Sequence, residues 1–77
     1  MDLLSIFAAN MKRIREAKGL SQEALGAEAG VHRTFISGVE RRVRNPTVRL
    51  IGKIARGLGV KPAALFELPP GVTRWDD

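Results

Sequence analysis

The sequence predicts an all-α domain of five short helices, and three observations carry that prediction. Apolar residues recur at steps of three and four, Gly, Ser, Thr and Pro punctuate the intervals between those runs, and no stretch alternates apolar with polar residues as a half-buried strand does. Leu4, Phe7, Ala8, Met11, Ile14 and Arg15 share one side of a first helix over 3–18. It closes with Lys18 in the last turn, where a cation suits the helix dipole, and with Gly19 as a left-handed terminator. A second helix starts from Ser21 as N-cap, continues through Gln22 and Glu23, buries Ala24, Leu25 and Ala29, and stops at Gly30. The third has Phe35, Ile36 and Val39 on one side and Arg33, Thr34, Ser37, Gly38 and Arg41 on the other. Pro46 disfavours helix at Asn45, so 43–46 reads as a loop. Thr47 caps a fourth helix with the stripe Val48, Ile51, Ile54, Ala55 and Leu58, ended by Gly59, and Pro62 opens a fifth through Leu65, Phe66 and Leu68. The run Pro69, Pro70 and Gly71 leaves 69–77 as an irregular tail after a single domain over 1–68.

Seventy-seven residues suffice for one core, and a chain this short buries only about 60% of the surface that it exposes when unfolded. Hydrophobic residues make up 44% and charged residues 27%, a globular balance rather than a disordered one. With no cysteine there is neither a disulfide framework nor a cysteine-based zinc site, and a reducing cytoplasm is the natural compartment. No apolar run approaches a bilayer span. The net charge of +5 is concentrated: Arg33, Arg41, Arg42, Arg44, Arg49, Lys53, Arg56 and Lys61 face a single acid, Glu40, between positions 31 and 61, whereas the rest of the chain is net acidic. Such a segment suits a polyanion, because cations that neutralise phosphates release condensed counterions. It lacks the Trp- and Phe-rich face of an interfacial membrane helix. A solvated basic face is the plain alternative, and the i, i+4, i+7 spacing of Arg49, Lys53 and Arg56 fits that description.

Enzyme chemistry finds little support. One histidine, no cysteine and no clustered carboxylates leave no acid-base pair, no activated nucleophile and no metal set, so no cofactor or metal is expected. Gly57-Leu58-Gly59 lacks the third glycine of a dinucleotide fingerprint and follows a helix, and Gly52-Lys53 is followed by Ile54 where a phosphate loop needs Ser or Thr. The informative constellation is a short helix, a glycine turn and a second short helix over about 21–41, the arrangement of a helix-turn-helix element. Leu25, Ala29, Ile36 and Val39 face inward, and the outer side of the second helix is free to enter a major groove about 12 Å wide.

The run from Leu20 to Leu25, then Ala29-Gly30-Val31, the run from Arg33 to Arg41 and Arg44-Asn45-Pro46-Thr47 resemble the Cro/CI-type, or XRE, helix-turn-helix family. The segment from Arg33 to Thr47 is similar in particular to small controller proteins of restriction-modification systems. The resemblance spans about Asn10 to Phe66. It implies a five-helix, lambda-repressor-like domain that forms a homodimer on short pseudo-palindromic operators in double-stranded DNA, commonly including its own promoter. Carried over position by position, it implies base reading by Arg33, Thr34, Ser37 and Gly38, with Arg33 suited to grip O6 and N7 of guanine together. It implies phosphate contacts from Gln22, Arg41, Arg42, Arg44 and Asn45, with Arg44 also within range of a base edge, and an ion pair joining Arg15 to Glu40.

This sequence departs from that pattern at three places. Gly26 stands where alanine is usual, at a helix-propensity cost of roughly 1 kcal/mol that packing must offset. Arg42 stands where glycine or asparagine usually ends the recognition helix. His32 occupies the usual Ser or Asp cap position, as a phosphate contact or as a residue that only starts the helix. Val60, Leu65, Phe66 and Leu68 lie beyond the helix-turn-helix with nothing evident to cover them, and they are the candidate dimer interface. The sequence therefore predicts an autoregulatory DNA-binding regulator with no small-molecule ligand and no membrane partner. An antitoxin-like protein-interaction module on the same fold is the rival, and an RNA-binding subunit is disfavoured by the absence of Tyr and of exposed Phe.

Overall fold

A computed structural model describes residues 1–76. The chain forms four α-helices, α1 (Leu3–Ala17), α2 (Gln22–Ala29), α3 (Arg33–Glu40) and α4 (Val48–Leu58), followed by a 3₁₀ helix at Pro62–Phe66; no strand occurs among the described residues. The fifth helix expected from the sequence is thus a 3₁₀ turn. Its five residues have no side-chain cap, and a segment of that length makes too few α-type hydrogen bonds to repay the cost of nucleating them. Beyond Leu68 the described chain is irregular; Asp77, the last residue of the predicted tail, lies outside the described residues.

Local chemistry sets the helix ends. Asp2 accepts the Ser5 N–H at 2.8 Å, and that bond holds its carboxyl below the usual aspartate value. Ser21 accepts from Ala24 N–H at 2.9 Å and Thr47 from Leu50 N–H at 3.1 Å. Gly30 and Gly59 close α2 and α4 at φ +70°, a conformation that side-chain-bearing residues rarely adopt.

The core gathers Phe7, Met11 and Ile14 of α1, Leu25 and Ala29 of α2, Ile36 and Val39 of α3, Ile54, Ala55 and Leu58 of α4, and Leu65. Ile6, absent from the stripe predicted for α1, is fully buried as well, whereas Val48, part of the stripe predicted for α4, is 86% exposed because it occupies the first position of α4, outside the packed part of the helix. α2 packs extensively on α4 and on α3, and α1 packs on the 3₁₀ segment. Asn10 makes that last junction: its buried amide donates to the carbonyls of Leu65 at 3.0 Å and Glu67 at 2.8 Å. Phe66 then lies against Phe7, with ring centroids 5.4 Å apart and planes inclined by 47°.

These contacts correct the expectation that the last helical segment is left uncovered. Leu65 is wholly inside the protomer, so it contributes nothing to an outer surface, and Val60 and Phe66 are partly buried against the same core. Of the four residues assigned to an interface, Leu68 alone is an exposed large apolar side chain.

Candidate nucleic-acid interface

The pairing of α2 with α3 depends on glycine at two positions. Gly30 reverses the chain, and Gly26 lets the reversal come close: a Cβ at position 26 would stand 2.5 Å from the Val31 carbonyl oxygen, and the Val31 N–H donates to the Gly26 carbonyl at 2.8 Å. The packing needed to offset a mid-helix glycine is thus the turn itself. His32 caps α3 in place of Ser or Asp, with its Nδ1 accepting the Thr34 N–H at 3.1 Å and lying 2.8 Å from the Thr34 hydroxyl. The cap engages one ring nitrogen and leaves Nε2 at the exposed end of the helix.

His32, Arg33 and Thr34 are exposed in the first turn of α3, and Ser37 is half-buried one turn on. Arg33 does not extend freely: its Nη1 donates to Glu23 Oε2 at 3.1 Å, and both side chains remain largely in solvent, 63% and 74% exposed. Sequence reasoning missed this contact, because the two residues are ten positions apart and meet only once α2 and α3 cross. Gly38 is buried, and a Cβ there would lie 2.6 Å from Cγ of Arg44. It is therefore removed from the base-reading set: its missing side chain makes room for the Arg44 stem to lie along α3.

The loop after α3 begins with Arg42 at φ +61°, the one non-glycine residue with positive φ among those described. Arg42 N–H donates to the Val39 carbonyl and Val43 N–H to the Gly38 carbonyl, both at 2.9 Å, so the chain completes a glycine-type helix ending with an arginine. The cost of that backbone is roughly 1–3 kcal/mol. Arg42 lies near Asp2, whose carboxyl feels its charge, and flanks a shallow groove with Ser5, Ala8 and Lys12 of α1. Arg41, Arg44 and Asn45 are exposed beside it, as are Arg49 and Arg56 on α4, while Lys53 is half-buried.

Behind this surface, Arg15 and Glu40 pair at the junction of α1 and α3. Arg15 donates from Nε to Glu40 Oε2 at 2.7 Å and from Nη2 to Oε1 at 3.0 Å, and its Nη1 donates to the Leu20 carbonyl at 2.8 Å. The two side chains are 10% and 6% exposed. Hydrogen bonding to the Glu40 carboxylate raises the Arg15 pKa above the usual arginine value. Gln22 joins the cluster, donating from Nε2 to Glu40 Oε1 at 3.0 Å, so its amide is anchored rather than loose at the start of α2. The second amide hydrogen is left over to donate to a phosphate or water, and the carbonyl oxygen to accept from water.

Among the described residues no group of three or more His, Cys, Asp or Glu could hold a metal ion, and no helix is long and apolar enough to cross a membrane. An apolar groove of about 230 Å³ runs between α1, the loop before α4 and the 3₁₀ helix, lined by Leu3, Leu4, Phe7, Asn45, Pro46, Ile51 and Phe66.

A short helix, a glycine turn and a second short helix with an open polar side, followed by an arginine-rich loop, define a helix-turn-helix protein of the DNA-binding class. The chain belongs to the helix-turn-helix family of XRE type, whose pattern matches residues 11–65, and that family is made up of transcription regulators. It is 41% identical over 63 residues to control protein C.BamHI of Bacillus amyloliquefaciens, covering 80% of this chain and 78% of that one. It is also 41% identical over 66 residues to control protein C.SmaI of Serratia marcescens, with 86% and 79% covered. Among solved structures, the restriction-modification controller protein C.AhdI of Aeromonas hydrophila superposes with a TM-score of 0.79 at 41% identity over 82% of this chain and 96% of its own. The controller protein C.Esp1396I bound to a 19 base pair DNA duplex matches with a TM-score of 0.79 at 39% identity, with 86% and 88% covered.

Proposed function

We propose that this protein is a cytoplasmic, sequence-specific regulator that binds double-stranded DNA as a homodimer on a pseudo-palindromic operator, its own promoter among the targets. The observation that carries the reading is the exposed first turn of α3, bearing Arg33 and Thr34, with the cationic loop of Arg41, Arg42, Arg44 and Asn45 following the other end of the same helix. The duplex-bound C.Esp1396I relative supports double-stranded DNA as the partner. In this reading α3 enters the major groove, Arg33 reads guanine, Thr34 and Ser37 contact neighbouring base edges or methyl groups, and Gln22, His32 and the loop hold the backbone.

The test is selection of bound sequences from random duplex DNA, followed by variants. Arg33→Ala is expected to weaken the selected operator by about 1–3 kcal/mol while flattening preference at one base position per half-site. Equal loss on every sequence would make Arg33 a phosphate contact instead. Arg44→Ala should weaken all duplexes alike and reduce the slope of log affinity against log salt by about one per site; an unchanged slope takes it out of the interface.

A protomer measuring 33 × 22 × 19 Å presents one recognition helix, and reading two half-sites about 34 Å apart requires two copies. The apolar groove lined by Leu3, Leu4 and Phe66 supports a dimer contact there, because Val48, 86% exposed, lies in sequence between the groove residues Pro46 and Ile51. Phe66 lines that groove, and of the other candidate interface residues Leu68 is exposed and Val60 half-buried. Val48→Asp should leave the fold intact, since Val48 makes no core contact, yet sediment as a monomer at concentrations where the parent is dimeric and lose operator binding while keeping weak nonspecific binding. An unchanged mass and affinity would place the interface elsewhere.

A further inference from the structure

The exposed pair between Glu23 and Arg33 points beyond the contacts assigned above. Glu23 is the second residue of α2 and Arg33 the first of α3, and the bond between them crosses from one helix to the other at an open hollow that His32 also lines. A carboxylate in that place is costly for a protein that binds a polyanion: it faces the same phosphates that the surrounding arginines attract. Its cost is offset only while a cation stays with it. Arg33 spends one Nη1 hydrogen on Glu23, and the guanidinium retains four more N–H groups, including an edge free to meet the two acceptors of a guanine.

From this geometry we infer that Glu23 is a specificity-determining residue, a positioning carboxylate that aims Arg33 at the base edge and penalises complexes in which Arg33 finds no guanine. The inference rests on the base-reading role proposed for Arg33. Two consequences follow from charge alone. On the preferred site Arg33 bridges guanine and Glu23, so the carboxylate remains neutralised. On any other site Arg33 either turns to a phosphate and strands Glu23 beside the DNA backbone, or stays on Glu23 and contributes nothing to affinity. Glu23 thereby widens the gap between specific and nonspecific binding without itself touching a base. The pair is exposed and weak in the free protein, so Arg33 can exchange between partners rapidly.

The experiment uses the full chain and its Glu23→Gln variant, which keeps the shape and a hydrogen-bond acceptor but removes the charge. The probes are a duplex recovered by the parent from random-sequence DNA, the same duplex with the guanine that Arg33→Ala identifies replaced, and a random-sequence duplex of equal length. Glu23→Gln should bind the random duplex more tightly and lower the ratio of affinities between the first two probes by about two- to fivefold, the scale of one exposed charge pair. In an Arg33→Ala background the same substitution should leave that ratio unchanged. Tighter binding to all three probes by one common factor would overturn the inference, making Glu23 a merely repulsive surface charge, and so would no change in any of them. Failure of Arg33→Ala to flatten any base preference would overturn the reading beneath it, an outcome visible before Glu23 is altered.

Discussion

Replacing Glu40 with alanine is expected to cost about 3–5 kcal/mol of stability, the range for removing one member of a buried ion pair. Three donors converge on this carboxylate, two from Arg15 and one from Gln22, and its side chain is 6% exposed. Without it the Arg15 guanidinium keeps its bond to the Leu20 carbonyl but remains an uncompensated charge between α1 and α3. For a domain of this size each kilocalorie shifts the midpoint by roughly 4–8 °C, so thermal unfolding should fall by well over ten degrees. Glu40→Gln, which keeps an acceptor and loses the charge, should lie between the two. A drop of less than about 1 kcal/mol would mean that the pair behaves as a surface pair does and that water reaches it.

Two glycines of α4 should respond to substitution with opposite signs. A Cβ at position 57 would stand 3.0 Å from both Cβ and N of Ala29 and 3.1 Å from its Cα, so Gly57 marks where α4 approaches the backbone of α2. Gly57→Leu places a strong helix former there and is nevertheless expected to destabilise by about 3 kcal/mol or more, because the helices must separate. Gly52, on the same helix, meets nothing within 4 Å. Gly52→Ala should stabilise by about 1 kcal/mol through propensity alone. Chemical denaturation of both variants checks the pair, and a stable Gly57→Leu protein would show that the α2–α4 crossing adjusts at little cost.

Features legible in the sequence were those decided within a few residues. Ser21, Thr47, Gly30 and Gly59 announce helix ends because a cap or a left-handed residue acts on its own turn, and the structure places the helices between them. The ion pair of Arg15 with Glu40 was accessible only through resemblance, since nothing local links positions 25 residues apart. The 3₁₀ form of the last segment and the burial of Leu65 were illegible for a different reason: both depend on α1 reaching across to hold that segment. Asn10, a polar residue flanked by Phe7, Met11 and Ile14, was the signal for such a clamp, because a buried amide on an apolar face must find partners. At the candidate interface, the cationic loop was legible from charge, whereas the coverage of Gly38 by Arg44 and the hold of Glu23 on Arg33 required the loop and the helix crossing to be in place.

The clamp made by Asn10 also orders events in time. Its amide N–H groups are satisfied by carbonyls 55 and 57 residues downstream, so a nascent chain that has delivered only the four α-helices still has a gap where Leu65 belongs and an amide whose two carbonyl acceptors have yet to arrive. The helix-turn-helix is synthesised early, but its scaffold is sealed only when the last helical turn arrives. Ribosomes stalled shortly before that turn would carry a partly formed domain, and the α2–α3 pair would become rigid only once Pro62–Phe66 had been delivered.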